Sequence, residues 1–362
     1  MTGERNWSLD LIRALAVVEV LAVHFFSNIQ YYEEPLAGTA MVAAAFLRPA
    51  LMTCVPLFLL LSGYLCVGQT WSRDYYWRLG RVVSVYLLAS AACLLFKAVA
   101  MEGSWNPLIW CREILNFNGA PYSWYIEMYL GLFLLIPFIN AAWRGVDRAG
   151  RLALTASLMC MAILPSAANL SRYTDAQVQL VPGWWVKLYP LAYYCLGACL
   201  REHPIRLRGP VLLGLAALCP VAGGALHLWR ADGGAFGYLD ITYWNGLLTA
   251  VAAVLVFSVL VQWRPRCPGW LRRSVTGLSR LSLTVYLVSW IPDQVIGALL
   301  VQRVPDIGRR LLWGLAAVPA SLLVSVALAW CIQWPERLIL WGLGRIRTRC
   351  ARENNRRREA AK

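Results

Sequence analysis

Charge is scarce in this sequence. Asp, Glu, Lys and Arg make up 15% of its 362 residues, where a soluble domain carries about a quarter. Histidine is scarcer still, at three residues (His24, His203 and His227). The 11 cysteines contain no C-x-x-C pair, so a zinc cluster or a disulfide framework has little support. Most of them (Cys54, Cys66, Cys93, Cys160, Cys195, Cys199, Cys219 and Cys331) sit in apolar stretches and read as small buried hydrophobes. No period of 20–50 residues marks a repeat architecture. A long soluble linker is missing, and so is the uninterrupted apolar run plus small-residue cleavage site of a signal peptide.

What is abundant is apolar surface. The hydrophobic fraction is 59% and mean hydropathy is +0.53, which predicts an all-α integral membrane protein. Ten spans are read, at about 9–28, 49–68, 82–101, 124–143, 152–169, 184–200, 210–229, 241–262, 278–301 and 311–333. The net charge of +15 is strung along alternate loops and the tail. It is therefore a topology signal that puts both termini in the cytoplasm, and no nucleic-acid partner is expected. Arg73, Arg78 and Arg81, then Arg144, Arg148 and Arg151, belong to the basic loops, as do Arg201, Arg206 and Arg208. The group Arg264, Arg266, Arg272, Arg273 and Arg280 completes them. The opposite loops carry Glu33, Glu34, Glu102, Arg112, Arg172, Asp175, Arg230 and Asp232. One outer loop dissents, with Arg303, Arg309 and Arg310. The division is a transmembrane domain over 1–343 and a basic cytoplasmic tail over 344–362, expected to be a disordered arm attracted to anionic lipid.

The first span breaks the apolar rule most sharply. Leu9 to Phe26 holds Asp10, Arg13, Glu19 and His24, and ionisable groups at membrane depth are costly and mark function by default. At about 100° per residue Arg13 and His24 fall within roughly 20° of each other, and about 16 Å apart along the axis. Asp10 is an i, i+3 partner for Arg13. Glu19 lies off this seam and has no assigned role. His24 is read as the one histidine deep in a span. An imidazole, with an ordinary pKa near 6.5, suits proton transfer at neutral pH.

Ser8-Leu9-Asp10-Leu11-Ile12-Arg13, with His24 after ten intervening residues, resembles the opening helix of the bacterial acyltransferase 3 family. Further stretches are similar to the same family: Arg48 followed by Val55 to Leu65 (V-P-L-F-L-L-L-S-G-Y-L), Arg78-Leu79-Gly80-Arg81, Ser123 to Leu132 (S-W-Y-I-E-M-Y-L-G-L), and Leu281 to Leu287. The late segment commonly ends in histidine and here carries Ser289. The resemblance implies an O-acetyltransferase of the bacterial inner membrane. It would move an acyl group from acetyl-CoA, a co-substrate rather than a tightly bound cofactor, to a hydroxyl of a surface sugar or lipid-linked glycan. Donor binding would fall to Arg13, Arg78 and Arg81, since guanidinium groups take phosphates bidentately. His24 would act as general base or carry the acyl group itself. Glu127 would assist it, orienting the imidazole or holding the acceptor. Trp124 and Tyr125 would stack on a sugar ring, Asp10 would hold Arg13, and Arg48 would pair with Glu127 or polarise the acyl carbonyl. No metal site is expected. Two other classes fit intramembrane ionisable groups: a transporter of a proton or polar solute, and a sensor or assembly subunit without turnover.

Overall fold

The computed structural model describes residues 6–168, 170, 178–263 and 267–360; of residue 346 and residues 349–360 only the backbone is described. Arg172, Asp175, Arg264, Arg266 and Lys362 lie outside the described residues. The described chain is helical, and its only β pairing is the isolated bridge between Pro35 and Ala235.

The first helix, α1 (Trp7–Asn28), starts where the Asn6 side chain accepts from the Ser8 N–H, a capping arrangement that satisfies one of the free amides of the first turn. Next come α2 (Thr39–Leu51) and α3 (Cys54–Cys66). Pro49 and Pro56 flank the break between them, and each removes a backbone donor. Thr53 fills the break: its Oγ1 donates to Glu19 Oε2 at 3.1 Å and lies 2.9 Å from Ala50 O. Glu19 thus acquires a role, tying α1 to the interruption in the next crossing.

The chain continues through α4 (Arg73–Trp77), α5 (Leu79–Ala100), α6 (Pro107–Leu115), α7 (Trp124–Gly145), α8 (Arg148–Ala162), α9 (Gly183–Val186) and α10 (Tyr189–Glu202). Then follow α11 (Gly209–Ala231), α12 (Leu247–Gln262), α13 (Gly269–Val288), α14 (Trp290–Arg303) and α15 (Ile307–Ala360). Six helical stretches among the described residues are long and apolar enough to cross a bilayer: Thr39–Cys66, Arg73–Ala100, Trp124–Gly145, Gly209–Ala231, Asp240–Gln262 and Ile307–Arg345. A seventh appears if α13 and α14, bent by 59° at Ser289, form one broken span. The expected ten is therefore reduced to six or seven by this measure. With 15 and 14 residues, α8 and α10 fall short of the roughly 20 a helix needs to span. Although α1 has the length, it carries four ionisable side chains.

At the centre of the bundle, α1 packs against α3, α12, α13, α14 and α15. Its two ends are tied separately. Ser8 Oγ donates to Trp263 O (2.9 Å) at one end, and Arg310 Nη1 donates to Ile29 O (3.0 Å) at the other. The remaining nitrogens of Arg310 donate to Val304 O (2.7 Å) and Pro305 O (2.9 Å), and the residue is buried. This explains much of the dissenting loop, because one of its cations is internal and bonded to backbone. The basic tail continues α15 without a break to Ala360, where an irregular arm from residue 344 was expected.

Candidate active site

A cavity of about 480 Å³ runs along α1 and is lined by both Arg13 and His24. Its other walls come from α3, α5, α7, α13 and the turn before α12. Three cations face it: Arg13, Arg81 and Arg280. The remaining lining includes Trp124, Tyr125 and Trp244 together with apolar side chains such as Phe58, Leu61 and Val82. The seam read from the spacing of Arg13 and His24 is therefore part of the wall of one cavity.

Arg13 is held as expected. Asp10 is 2% exposed and its carboxylate accepts from Ser279 Oγ (2.7 Å) and Thr276 Oγ1 (3.3 Å), while Arg13 Nη1 lies 3.7 Å away. A buried carboxylate needs such donors, and the arrangement ties α1 to α13 at the basic end. Arg81 pairs with Glu336 of α15, Nε to Oε1 at 3.0 Å.

His24 has a different environment. Its ring stacks on Tyr122, centroids 3.6 Å apart and planes at 9°, a contact worth about 0.5–1.5 kcal/mol beyond burial. Among the described residues neither ring nitrogen has a protein hydrogen-bond partner. His227 is the contrast. It too is enclosed in a helix, α11, which corrects the reading of His24 as the one deep histidine. Its Nδ1 lies 3.1 Å from Gly237 O and its Nε2 2.8 Å from Thr242 Oγ1, and the residue has no exposed surface. Both nitrogens of His227 are committed to packing; those of His24, among the described residues, are not.

The structure brings His24, Arg13, Arg81, Trp124 and Tyr125 together around the cavity, with Asp10 behind Arg13, and leaves Glu127, Arg78 and Arg48 apart. Glu127 is exposed and does not line the cavity. The reason is helical phase: it lies roughly 140° around α7 from the mean direction of Trp124, Tyr125 and Tyr129, which do. Arg78 is exposed, donating to Gln69 Oε1 at 2.7 Å and lying over the Tyr75 ring. Arg48 is 2% exposed and sits in an aromatic box, 4.7 Å from the centroid of Phe236, 5.3 Å from Tyr32 and 5.7 Å from Tyr238. Its Nε donates to Tyr32 Oη at 3.0 Å, and no ion pair joins it to Glu127. Trp124 stacks on Trp244, centroids 4.7 Å apart. Ser289, at the position where histidine is common, is fully buried and donates to Tyr286 O.

The sequence reading missed Arg280 by grouping it with loop charges. Its position inside the 278–301 segment was the available signal, because a cation within a span calls for a partner or a ligand. Trp244, Tyr129 and Tyr286 were missed as well, and no spacing rule points to them.

No curated protein matches the chain, and no solved structure does. Residues 6–330 match the family described as an acyltransferase domain. With that match covering nearly the whole chain, and with several helices apolar enough to cross a bilayer, the protein belongs to the acyltransferase 3 family and is a multi-pass membrane acyltransferase.

Proposed function

We propose that the protein transfers an acyl group, acetyl in the first instance, from cytoplasmic acyl-CoA to a hydroxyl of a cell-surface or exported sugar. The single observation that carries this reading is that the cations and His24 line one cavity. Small-molecule sites occupy about 300–1,000 Å³, and this one falls in that range. The nucleotide phosphates of the donor rest at Arg13, Arg81 and Arg280, and the flexible arm runs along the apolar wall toward His24. The acceptor hydroxyl gives its proton to the imidazole as its oxygen attacks the thioester carbonyl. The C–S bond then breaks, and the departing CoA thiolate takes up the proton. Trp124 and Tyr125 form the wall beside the acceptor.

In this reading α1, α8 and α10 are also embedded, giving ten crossings of a bacterial inner membrane with both termini in the cytoplasm. The acceptor is a sugar or lipid-linked glycan. No cofactor stays bound between turnovers.

The test is His24→Ala in membrane vesicles supplied with labelled acetyl-CoA, with the label followed into glycan. Loss of transfer with retained donor binding is expected. Undiminished transfer by the variant removes the catalytic assignment.

A further inference from the structure

His24 is the only cavity-lining group suited to proton transfer at neutral pH, yet among the described residues its ring nitrogens have no hydrogen-bond partner. A histidine ring turns in a broad, roughly twofold well about its second side-chain torsion. Something else must therefore hold the plane of the ring. The ring is stacked on the Tyr122 face, 3.6 Å away and nearly parallel.

Tyr122 is itself clamped from several elements. Its Oη accepts from Asn28 Nδ2 of α1 (3.1 Å) and donates to Asp293 Oδ2 of α14 (3.2 Å). Tyr286 Oη of α13 donates to the Tyr122 carbonyl. Asp293 is 6% exposed, and its Oδ1 accepts from Ser321 Oγ of α15 at 2.5 Å. Gln294 Nε2 donates to Asn28 Oδ1 at 3.0 Å. This is a buried, hydrogen-bonded carboxylate that the transfer mechanism does not use. It stands four residues past Ser289, just beyond the 59° bend between α13 and α14, and the bend brings it under the Tyr122 hydroxyl.

We propose that Tyr122, anchored by Asp293, is the positioning residue for His24: the clamp presents the tyrosine face as a fixed plate, and stacking on that plate holds the imidazole in one plane at the cavity wall. The proposal rests on the reading of His24 as the proton acceptor. Tyr122 touches no reacting atom, since it does not line the cavity. Its effect belongs in turnover and not in donor capture. A misplacement of about 1 Å in a catalytic group can cost about 10²-fold in rate.

The experiment uses the full chain in vesicles with labelled acetyl-CoA, measuring kcat and donor KM for Tyr122→Leu, Tyr122→Phe, Asp293→Asn and His24→Ala. The proposal expects Tyr122→Leu to lose about 10²-fold in kcat with donor KM within about twofold. Tyr122→Phe, which keeps the plate but loses its anchor, recovers most of that loss. Asp293→Asn, which keeps the shape and one acceptor oxygen, falls between Tyr122→Phe and the wild type. Three results overturn it while leaving His24 in place: Tyr122→Leu turning over like the wild type, its loss appearing in donor KM, or Tyr122→Phe being as poor as Tyr122→Leu. If Tyr122→Leu fails to fold, the Tyr122→Phe and Asp293→Asn values decide: a lowered kcat with donor KM within about twofold supports the clamp, and a wild-type kcat in both or a donor-KM effect overturns it. An active His24→Ala variant removes the underlying reading and the clamp with it.

Discussion

Arg81 on α5 and Glu336 on α15 form an ion pair at 3.0 Å on the wall of the cavity, with the carboxylate almost wholly buried and the guanidinium 60% exposed. Glu336 follows Pro335 inside α15. The pair thus couples two crossings at the place where donor phosphates are proposed to bind. An anion fixed beside a cation competes with any incoming phosphate for it.

Glu336→Gln is therefore expected to lower the donor KM severalfold, with kcat little changed, because Arg81 becomes free for phosphate. The Arg81 guanidinium is the exposed member of the pair, and its pull on an incoming phosphate is screened beyond about 10 Å at 0.1 M salt. The gain should accordingly be large in dilute buffer and small in 0.5 M salt. Donor KM measured at both ionic strengths checks it. A KM that rises instead would make Glu336 a holder of Arg81 in its binding pose.

The two arginines that family resemblance and geometry treat differently give a sharper comparison. Arg280 lines the cavity, and Arg78 points to Gln69 and Tyr75 outside it. A hydrogen bond to a charged group contributes about 1.5–3 kcal/mol, which is roughly 10- to 150-fold in affinity. Arg280→Ala is expected to raise the Kd for CoA by about tenfold or more, and Arg78→Ala by less than about threefold. Isothermal titration with CoA measures both without the acceptor. The reverse ranking would move the phosphate site to the outer face of α4 and α5.

How far the sequence revealed this site follows from what each residue depends on. Arg13 and His24 share one helix, so their common face could be computed from spacing alone. Asp10 could be assigned to Arg13 for the same reason. Glu127 failed because depth along a helix says nothing about which side of it faces the neighbours. Arg48 failed because its partners, Phe236 and Tyr238, lie about 190 residues away in a loop without periodicity. Tyr122 sits just before α7 and gains its meaning from Asn28, Tyr286 and Asp293, contacts that only the assembled bundle creates. Helix locations were legible as apolar runs. The crossing count rests on less, since α8 and α10 are shorter than a full span.

The last prediction concerns how tightly α3 and α10 are joined. Gly63 and Gly197 face each other's backbones: a Cβ on Gly63 would stand 1.9 Å from Tyr194 O, and one on Gly197 would stand 2.0 Å from Leu60 O. Small residues let membrane helices approach this closely, and a methyl group in the contact would have to drive them apart by more than 1 Å. On its other side α3 carries Phe58 and Ser62 into the cavity, so the displacement would also narrow the donor path. Overpacking of this kind costs about 1–3 kcal/mol and occasionally more. Gly131 on α7 is the control, because a Cβ there meets nothing within 4 Å and alanine favours the helix by up to about 1 kcal/mol. Gly63→Ala should lower the midpoint of thermal inactivation in detergent and reduce kcat together, while Gly131→Ala should match or exceed the wild type in both. Equal stability of the two variants would mean that α3 and α10 stand further apart than their backbones here show.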